Sequence, residues 1–340
     1  MSGALLTNQE LHLVVFRKIG ALAGLLPDQV IVHELGTERL RWSLIKLVIM
    51  LRKLKPSIIY STHGYVNVAL LLLRAVYGRS CKLLLREANT PSRSLASQRF
   101  TTFFKIAYRF FYPKAEKIIC QSKLMLDEFK RDYDIPVEKM ELIYNPTNTT
   151  EIRSNLKPIR KTDETVQFVA AGFFHYKKGF DRLIDWFSEV PSPSRLTLLG
   201  SGPEEASLVN KIKKYGLEER VNLPGYIASP WDYFAAADAF LLPSRWEGMP
   251  NVALEALACG TPVIATAESG GINDLADMAI EGAVIVSHSS NDFINAMRAV
   301  RYKSVDKIKP SLLPIRFELI HAQTCFNKLL TGMVGDKNYL

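Results

Sequence analysis

Two glutamates eight residues apart, Glu247 and Glu255, flank the run Gly248-Met249-Pro250-Asn251. Glu247 stands in a polar loop, "SRWEGM", and Glu255 in the alanine-rich run "PNVALEALAC". That second run carries helix signals at both ends. Pro250 suits a first helical turn, where its missing N–H costs nothing, and Gly260 and Pro262 close the helix. The flanking "AFLLP" and "PVIAT" read as strands, so the helix starts at the carboxyl end of a parallel strand. Open α/β sheets bind ligands at that place. Unpaired N–H groups and the helix dipole favour a phosphate there, and Gly248 lets the backbone approach closely. A carboxylate beside a phosphate repels it. The two glutamates therefore make sense here as holders of neutral hydroxyls. Glu255, one turn into the helix on the face of Asn251 and Val252, is placed to accept both hydroxyls of a ribose. Glu247, in the loop ahead, is placed for the hydroxyls of a second sugar. A diphosphate between two sugars is a nucleotide sugar. The plainer alternative is a surface loop and a helix that each happen to carry one acid.

A diphosphate also needs a cation. "AAGFFHYKKGFDRLI" runs from a strand through Gly172 to Lys178-Gly179, which opens a helix. Lys178 is placed to compensate charge on a departing diphosphate, although a loop lysine taken alone is usually just solvated. "LLGSGPEE" is a glycine-rich turn after a strand. It is neither a GxGxxG fingerprint nor a P-loop.

These loops need a sheet to position them. The 340 residues suffice for two domains, each with its own core. In residues 1–150 short apolar strands such as "QVIVHEL", "PSIIYSTHG" and "CKLLLREANT" alternate with helical runs such as "RLRWSLIKLVIMLRKLK", with no hairpin signal between them. That pattern predicts a parallel sheet covered by helices on both faces. A polar segment, residues 151–164, reads as a linker. Residues 165–312 repeat the alternation as a second doubly wound domain, and residues 313–340 hold a terminal helix. The four cysteines form no CxxC pair, which argues against a disulfide framework or a zinc site and fits a reducing cytoplasm. No signal peptide or run long enough to span a bilayer is legible.

The motifs "GFFHYKKGFDRLI", "LLGSGP", "VNLPGY" and "PSRWEGMPNVALEALACGTPVIAT" resemble those of the family-4 retaining glycosyltransferases of GT-B fold, most specifically in the spacing of Glu247 and Glu255. The resemblance implies two Rossmann-like domains facing across a cleft. The acceptor would bind to the first, the donor nucleotide sugar (a UDP-sugar above all) to the second, and the last helix would return to the first domain. It assigns Lys178 to the diphosphate, Glu247 to the donor sugar and Glu255 to the ribose, with Gly172, Phe173, Gly202, Tyr226, Gly248, Met249, Pro250, Asn251 and Val252 lining the donor site. It implies retaining transfer through an oxocarbenium-like state, stabilised by charge and positioning, with no metal and no cofactor.

Three departures qualify this. Phe173 stands where many members carry arginine, so neutralisation leans on Lys178. Where many carry a histidine, this chain has Arg86, Glu87 and Asn89. With His63 these form the expected acceptor side, although His63 reads equally as a turn residue. Members also open with a strand and a Gly-Gly loop, and this sequence is expected to begin after them. Asp132-Tyr133-Asp134 imitates a metal-binding DxD but falls away from the phosphate loops, and reads as polar connection.

Charge is uneven. Residues 1–150 hold 22 Lys and Arg against 12 Asp and Glu, while residues 151–340 hold 21 against 22. Solvated surface explains this blandly. The sharper expectation is peripheral attachment of the first half to the inner face of the membrane, through an aromatic and basic helix from Gln98 to Lys114 carrying Arg99, Lys105, Arg109 and Lys114, with Lys117 beyond it. No base-reading motif supports a nucleic-acid partner. The expected activity is sugar transfer to a lipid-linked or cell-envelope glycan. The alternatives are a nucleotide-sugar epimerase or hydrolase, or a catalytically impaired glycan- or nucleotide-binding protein.

Overall fold

The computed structural model describes residues 10–17, 26–36, 40–78, 80–92, 101–157, 164–302 and 307–334. The chain packs as two units. The first comprises the chain up to Cys120, Met125–Ile143 and the chain from Ala322 onward. The second comprises Gln121–Leu124 and Tyr144–His321.

In the first unit β1 (Leu11–Val15) pairs in parallel with β2 (Val30–Glu34). A separate parallel sheet runs in the order β3 (Ile58–Ser61), β4 (Lys82–Arg86), β5 (Lys117–Cys120), β6 (Met140–Leu142). Among the described residues no strand joins the two sheets. Successive residues of β4 and β5 point to opposite faces. Leu83, Leu85, Ile118 and Cys120 enter one core with the helices α1 (Leu40–Leu54), α2 (Gly64–Tyr77), α3 (Thr101–Phe111) and α4 (Lys123–Tyr133). Leu84 and Ile119 enter the other, against Leu329, Leu330 and Met333 of the last helix. Because both faces are covered, these strands read as unbroken apolar runs.

The second unit holds helices α5 (Thr149–Ser154), α6 (Phe180–Ser188), α7 (Glu205–Lys214), α8 (Trp231–Ala236), α9 (Asn251–Ala258), α10 (Ile272–Met278) and α11 (Ser290–Ala299). Its strands are β7 (Val166–Ala171), β8 (Ser194–Leu199), β9 (Val221–Gly225), β10 (Ala239–Leu242), β11 (Val263–Thr266) and β12 (Val284–Ser287). They form one parallel sheet in the order β12-β11-β10-β7-β8-β9. The chain winds from β7 to one side through β8 and β9, then to the other through β10, β11 and β12. The strand order therefore reverses between β7 and β10, and at such a point the loops on either side diverge and leave room for a ligand. The helix α12 (Leu319–Val334) ends the described chain.

Two expectations change. Residues 151–154, expected in the linker, are helical. Asn148 caps α5 by accepting from the Glu151 N–H at 3.3 Å, and donates from Nδ2 to the Glu151 carboxylate at 2.8 Å. This reciprocal cap, together with burial of Ile152, outweighs the polar composition. By packing, the chain passes from the first unit to the second between Ile143 and Tyr144. The aromatic and basic helix spans Thr101–Phe111 and passes into a 3-10 turn at Tyr112–Lys114, because Pro113 cannot donate to a continuing helix. Gln98 and Arg99, placed in that helix by the sequence, lie outside the described residues.

Candidate active site

The site of the second unit forms at the reversal between β7 and β10. The loop after β7 presents Lys177 and Lys178, and the loop after β10 presents Glu247. Lys178 Nζ donates to Glu247 Oε1 at 2.7 Å, and Lys177 Nζ stands 3.1 Å from Oε2. Ser244 Oγ donates to Oε1 at 2.9 Å. Glu247 is only 6% exposed, whereas the lysine side chains keep 24% and 21%. One buried carboxylate thus holds two partly accessible ammonium groups. Such a cluster adds little net stability, since desolvation offsets most of the attraction. Its value lies in fixing where the charges sit.

Side-chain and backbone hydrogen bonds brace the loops around it. Arg245 grips Asp181 through both terminal nitrogens at 2.7 Å, lies 3.8 Å over the Tyr176 ring and donates its backbone N–H to the Lys177 carbonyl. Burial alone pushes the Asp181 carboxyl up, but the Arg245 hydrogen bonds and charge outweigh it and leave the group below the usual range. Arg182 Nε donates to the Pro243 carbonyl at 2.8 Å and Nη2 to that of Ser244 at 2.9 Å. Two glycines permit this packing. Gly179 has φ +69°, and a Cβ there would lie 2.1 Å from the Pro243 oxygen. Gly270 has φ +62°, and a Cβ there would lie 2.1 Å from the Glu247 oxygen.

The helix α9 begins at Asn251 with Pro250 at the capping position, one residue earlier than the sequence placed it. The Pro250 carbonyl already accepts from Ala253, so the proline closes the first turn from outside it. Glu255 lies one turn in, partly buried, with Oε2 3.3 Å from Trp231 Nε1. Burial pushes its carboxyl up, and the indole N–H opposes that shift. Asn251 accepts from Asn145 Nδ2 at 2.7 Å. Met249 is buried, and Val252 is half-buried in the first turn of α9.

Gly172 and Phe173 follow β7, Gly202 follows β8 and Tyr226 follows β9. The Gly172 N–H donates to the Leu199 carbonyl at 2.9 Å and that of Phe174 to Ser201 at 2.8 Å, which ties the loops after β7 and β8 together. Phe173 and Tyr226 are 60% and 74% exposed.

The expected acceptor residues lie in the first unit at the carboxyl ends of β3 and β4. His63 is exposed at the start of α2 without a side-chain cap, and Arg86 and Asn89 are half-buried. Glu87 differs from the others in its surroundings. It is 2% exposed, and its carboxyl accepts the Tyr112 hydroxyl and the Asn67 amide within the core. Asp132 and Asp134 are each taken up by an arginine, Arg131 at 2.7 Å and Arg109 at 2.6 Å. Among the described residues no group of three or more His, Cys, Asp or Glu is placed to hold a metal.

Five residues of the candidate site were missed by sequence reasoning. Lys177 and Ser244 were hidden beside Lys178 and Glu247, although "YKKG" offered both lysines. Trp231 lies 24 residues before the glutamate it serves, and no local pattern links them. The pair Gly270-Gly271 was legible as "SGG" before a short helix, and its role as a floor under Glu247 emerged only with the fold.

Two Rossmann-like α/β units with all-parallel sheets define the GT-B class. Residues 10–151 match the model described as Glycosyltransferase Family 4, and residues 151–302 match Glycosyl transferases group 1. The chain belongs to the family-4, group 1 glycosyltransferases. One relative is the Campylobacter jejuni N-acetylgalactosamine-N,N'-diacetylbacillosaminyl-diphospho-undecaprenol 4-alpha-N-acetylgalactosaminyltransferase, 29% identical over 60% of this chain and 56% of that protein. Another is the amylovoran biosynthesis glycosyltransferase AmsD of Erwinia amylovora, 24% identical over 68% of this chain and 64% of AmsD. This chain thus spans a little over half to under two thirds of the length of these relatives. Among solved structures, Anabaena HepE in complex with UDP matches with a TM-score of 0.75 at 18% identity, over 94% of this chain and 92% of HepE. The lipopolysaccharide outer core galactosyltransferase WaaB matches at 0.69 and 17%, over 93% and 88%.

Proposed function

We propose that this chain transfers a sugar, with retention, from a nucleotide-diphosphate sugar to a lipid-linked or cell-envelope glycan. The observation that carries this reading is the pair of lysines held on Glu247 beside the start of α9, where strand order reverses. Two cations compensate a diphosphate. Glu255 takes the ribose hydroxyls, and Glu247 takes those of the donor sugar. The bond between the anomeric carbon and the diphosphate oxygen breaks. The diphosphate leaves with the electron pair, the acceptor oxygen bonds on the same face, and its proton passes to the leaving diphosphate. Lys177 and Lys178 stabilise charge that grows on that group in the transition state. Because lysines supply this charge, the reaction proceeds without a bound metal or cofactor.

The named relatives support the substrate class. One acts on a diphospho-undecaprenol-linked glycan, and HepE was solved with UDP and with UDP-glucose. A UDP-sugar is the donor we propose. No described helix is long and apolar enough to cross a membrane, and the basic first half supports peripheral attachment at the inner membrane face, near such an acceptor. The test is a panel of nucleotide sugars scored for nucleotide release with and without undecaprenyl-diphosphate glycans. Acceptor-dependent release that survives chelator is expected. Conversion of the donor without any acceptor would mark an epimerase or hydrolase. Tight binding without turnover would mark a binding protein, and chelator loss restored by magnesium would overturn the metal-free step.

A further inference from the structure

From residue 39 to residue 115 the sequence holds 15 lysines and arginines and a single acid, Glu87, and that acid is buried. The helices α1, α2 and α3, which fall in this stretch, contain no aspartate or glutamate. They form one layer, with α1 against α2 and α2 against α3. The outer faces of this acid-free layer are apolar. Trp42, Ile45 and Ile49 of α1 are 69%, 77% and 61% exposed. Phe103, Ile106 and Phe110 of α3 are 49%, 51% and 60% exposed. Both triplets fall at i, i+3 and i+7, so each forms a single outward row along its helix. Exposed cations flank the rows, Lys46, Arg52 and Lys53 on α1 and Lys105 on α3.

We infer that this layer docks on an anionic lipid bilayer, inserting the two apolar rows below the headgroups while the flanking cations pair with lipid phosphates. Lone exposed apolar residues are ordinary, but two rows of three in one layer are not. An apolar row edged by lysine and arginine is the make-up of a helix lying in the membrane interface. Nucleic acid fits the charge but fits the rows less well, since Ile45, Ile49 and Ile106, half of the row residues, offer no ring for a base to stack on. The inference rests on the peripheral attachment proposed above and names its surface. It also makes attachment partly hydrophobic. Electrostatic attraction alone would fade with salt, because the screening length shortens, whereas burial of isoleucine and phenylalanine would not.

The test is sedimentation of the full chain with phosphatidylcholine vesicles, with and without phosphatidylglycerol, at low and high salt. Anionic vesicles are expected to bind, with a residue of binding that high salt does not remove. Ile45→Ser/Ile49→Ser and Phe103→Ser/Phe110→Ser should each lower partitioning by about tenfold or more, because two side chains leave the apolar phase, and should abolish the salt-resistant part. Lys46→Gln/Lys53→Gln should instead weaken the salt-sensitive part. Trp42 emission should shift to the blue and be quenched by brominated acyl chains, a signal lost in Trp42→Phe. Absence of binding to any vesicle at low salt would overturn peripheral attachment itself. Wild-type binding by the serine variants, or an unquenched Trp42, would overturn this surface and leave attachment standing. Self-association in lipid-free solution that the serine variants abolish would make the rows an interface between copies, and would also overturn the inference. The substituted positions are exposed, and an unchanged thermal unfolding midpoint confirms that each variant is folded.

Discussion

Lys178 Nζ and Glu247 Oε1 stand 2.7 Å apart, so the cation assigned to the diphosphate is already held by the acid assigned to the donor sugar. Glu247 is an internal counter-ion that a diphosphate must share or displace. Glu247→Gln removes a negative charge close to the incoming phosphates, and at an effective dielectric of about 20 such like charges repel by a few kcal/mol. The variant should therefore bind a free nucleoside diphosphate more tightly, by about tenfold or more at about 1.4 kcal/mol per tenfold, while losing turnover, since the donor sugar loses its acceptor. Calorimetry with UDP and a turnover assay check the two effects. Weaker UDP binding by Glu247→Gln would contradict the counter-ion role.

Lys177 shares that carboxylate, 3.1 Å from Oε2. On the donor reading proposed above, its charge adds to that of Lys178 on the diphosphate, where many members use an arginine at the position of Phe173. Lys177→Ala should weaken UDP binding by roughly tenfold, a change of about 1.4 kcal/mol. Uridine binding should stay as it is, and Lys177→Arg should restore most of the loss. A Lys177→Ala variant that weakens uridine and UDP equally would reduce Lys177 to a structural brace.

The site was legible where local chemistry and chain position coincide. Pro250, Gly260 and Pro262 bracket α9 in the sequence, and they place Glu255 one turn into a helix that follows a strand. Lys178 was legible because it precedes Gly179 at a strand-to-helix turn. What was not legible depends on distant partners. Glu87 looked like a polar residue at a strand end, and only Tyr112 and Asn67, 25 and 20 residues away, show that it is buried. Asn148 and Glu151 carried a reciprocal cap in plain sight, yet the surrounding polar residues made the segment read as linker.

Glu255 accepts from Trp231 Nε1 at 3.3 Å, and its burial raises the carboxyl above its usual range. Only the ionised carboxylate accepts both ribose hydroxyls, so nucleotide binding should fall as pH drops through that raised value. Trp231→Phe removes the donor that opposes the shift. The decline should then begin at a higher pH than in the wild type. Glu255→Ala should lose roughly 1.5–3 kcal/mol of binding. Titrations of UDP affinity against pH, with the 2′,3′-dideoxy analogue as control, read these effects. Identical profiles for Trp231→Phe and wild type would remove Trp231 from the site.

Glu87 makes the last case. Burial dominates its environment and pushes the carboxyl up from the ordinary 4.5 to about 7, against the hydrogen bonds from Tyr112, Asn67 and Tyr108 and the Arg86 charge. The folded state therefore holds this proton more tightly than the unfolded chain does. The resulting stability is fully present below the unfolded value and is lost as pH rises through about 7. The shift corresponds to roughly 3 kcal/mol across that window at about 1.4 kcal/mol per pH unit. Glu87→Gln keeps an acceptor for Tyr112 and Asn67 but has no proton to lose. Chemical denaturation between about pH 5 and about pH 8 should show wild-type stability falling with rising pH, and the glutamine variant should lack that component. Near pH 8 the variant should be the more stable of the two, because its neutral side chain avoids a buried negative charge. Parallel pH profiles for the two proteins would mean that Glu87 ionises in the folded state as freely as in the unfolded chain.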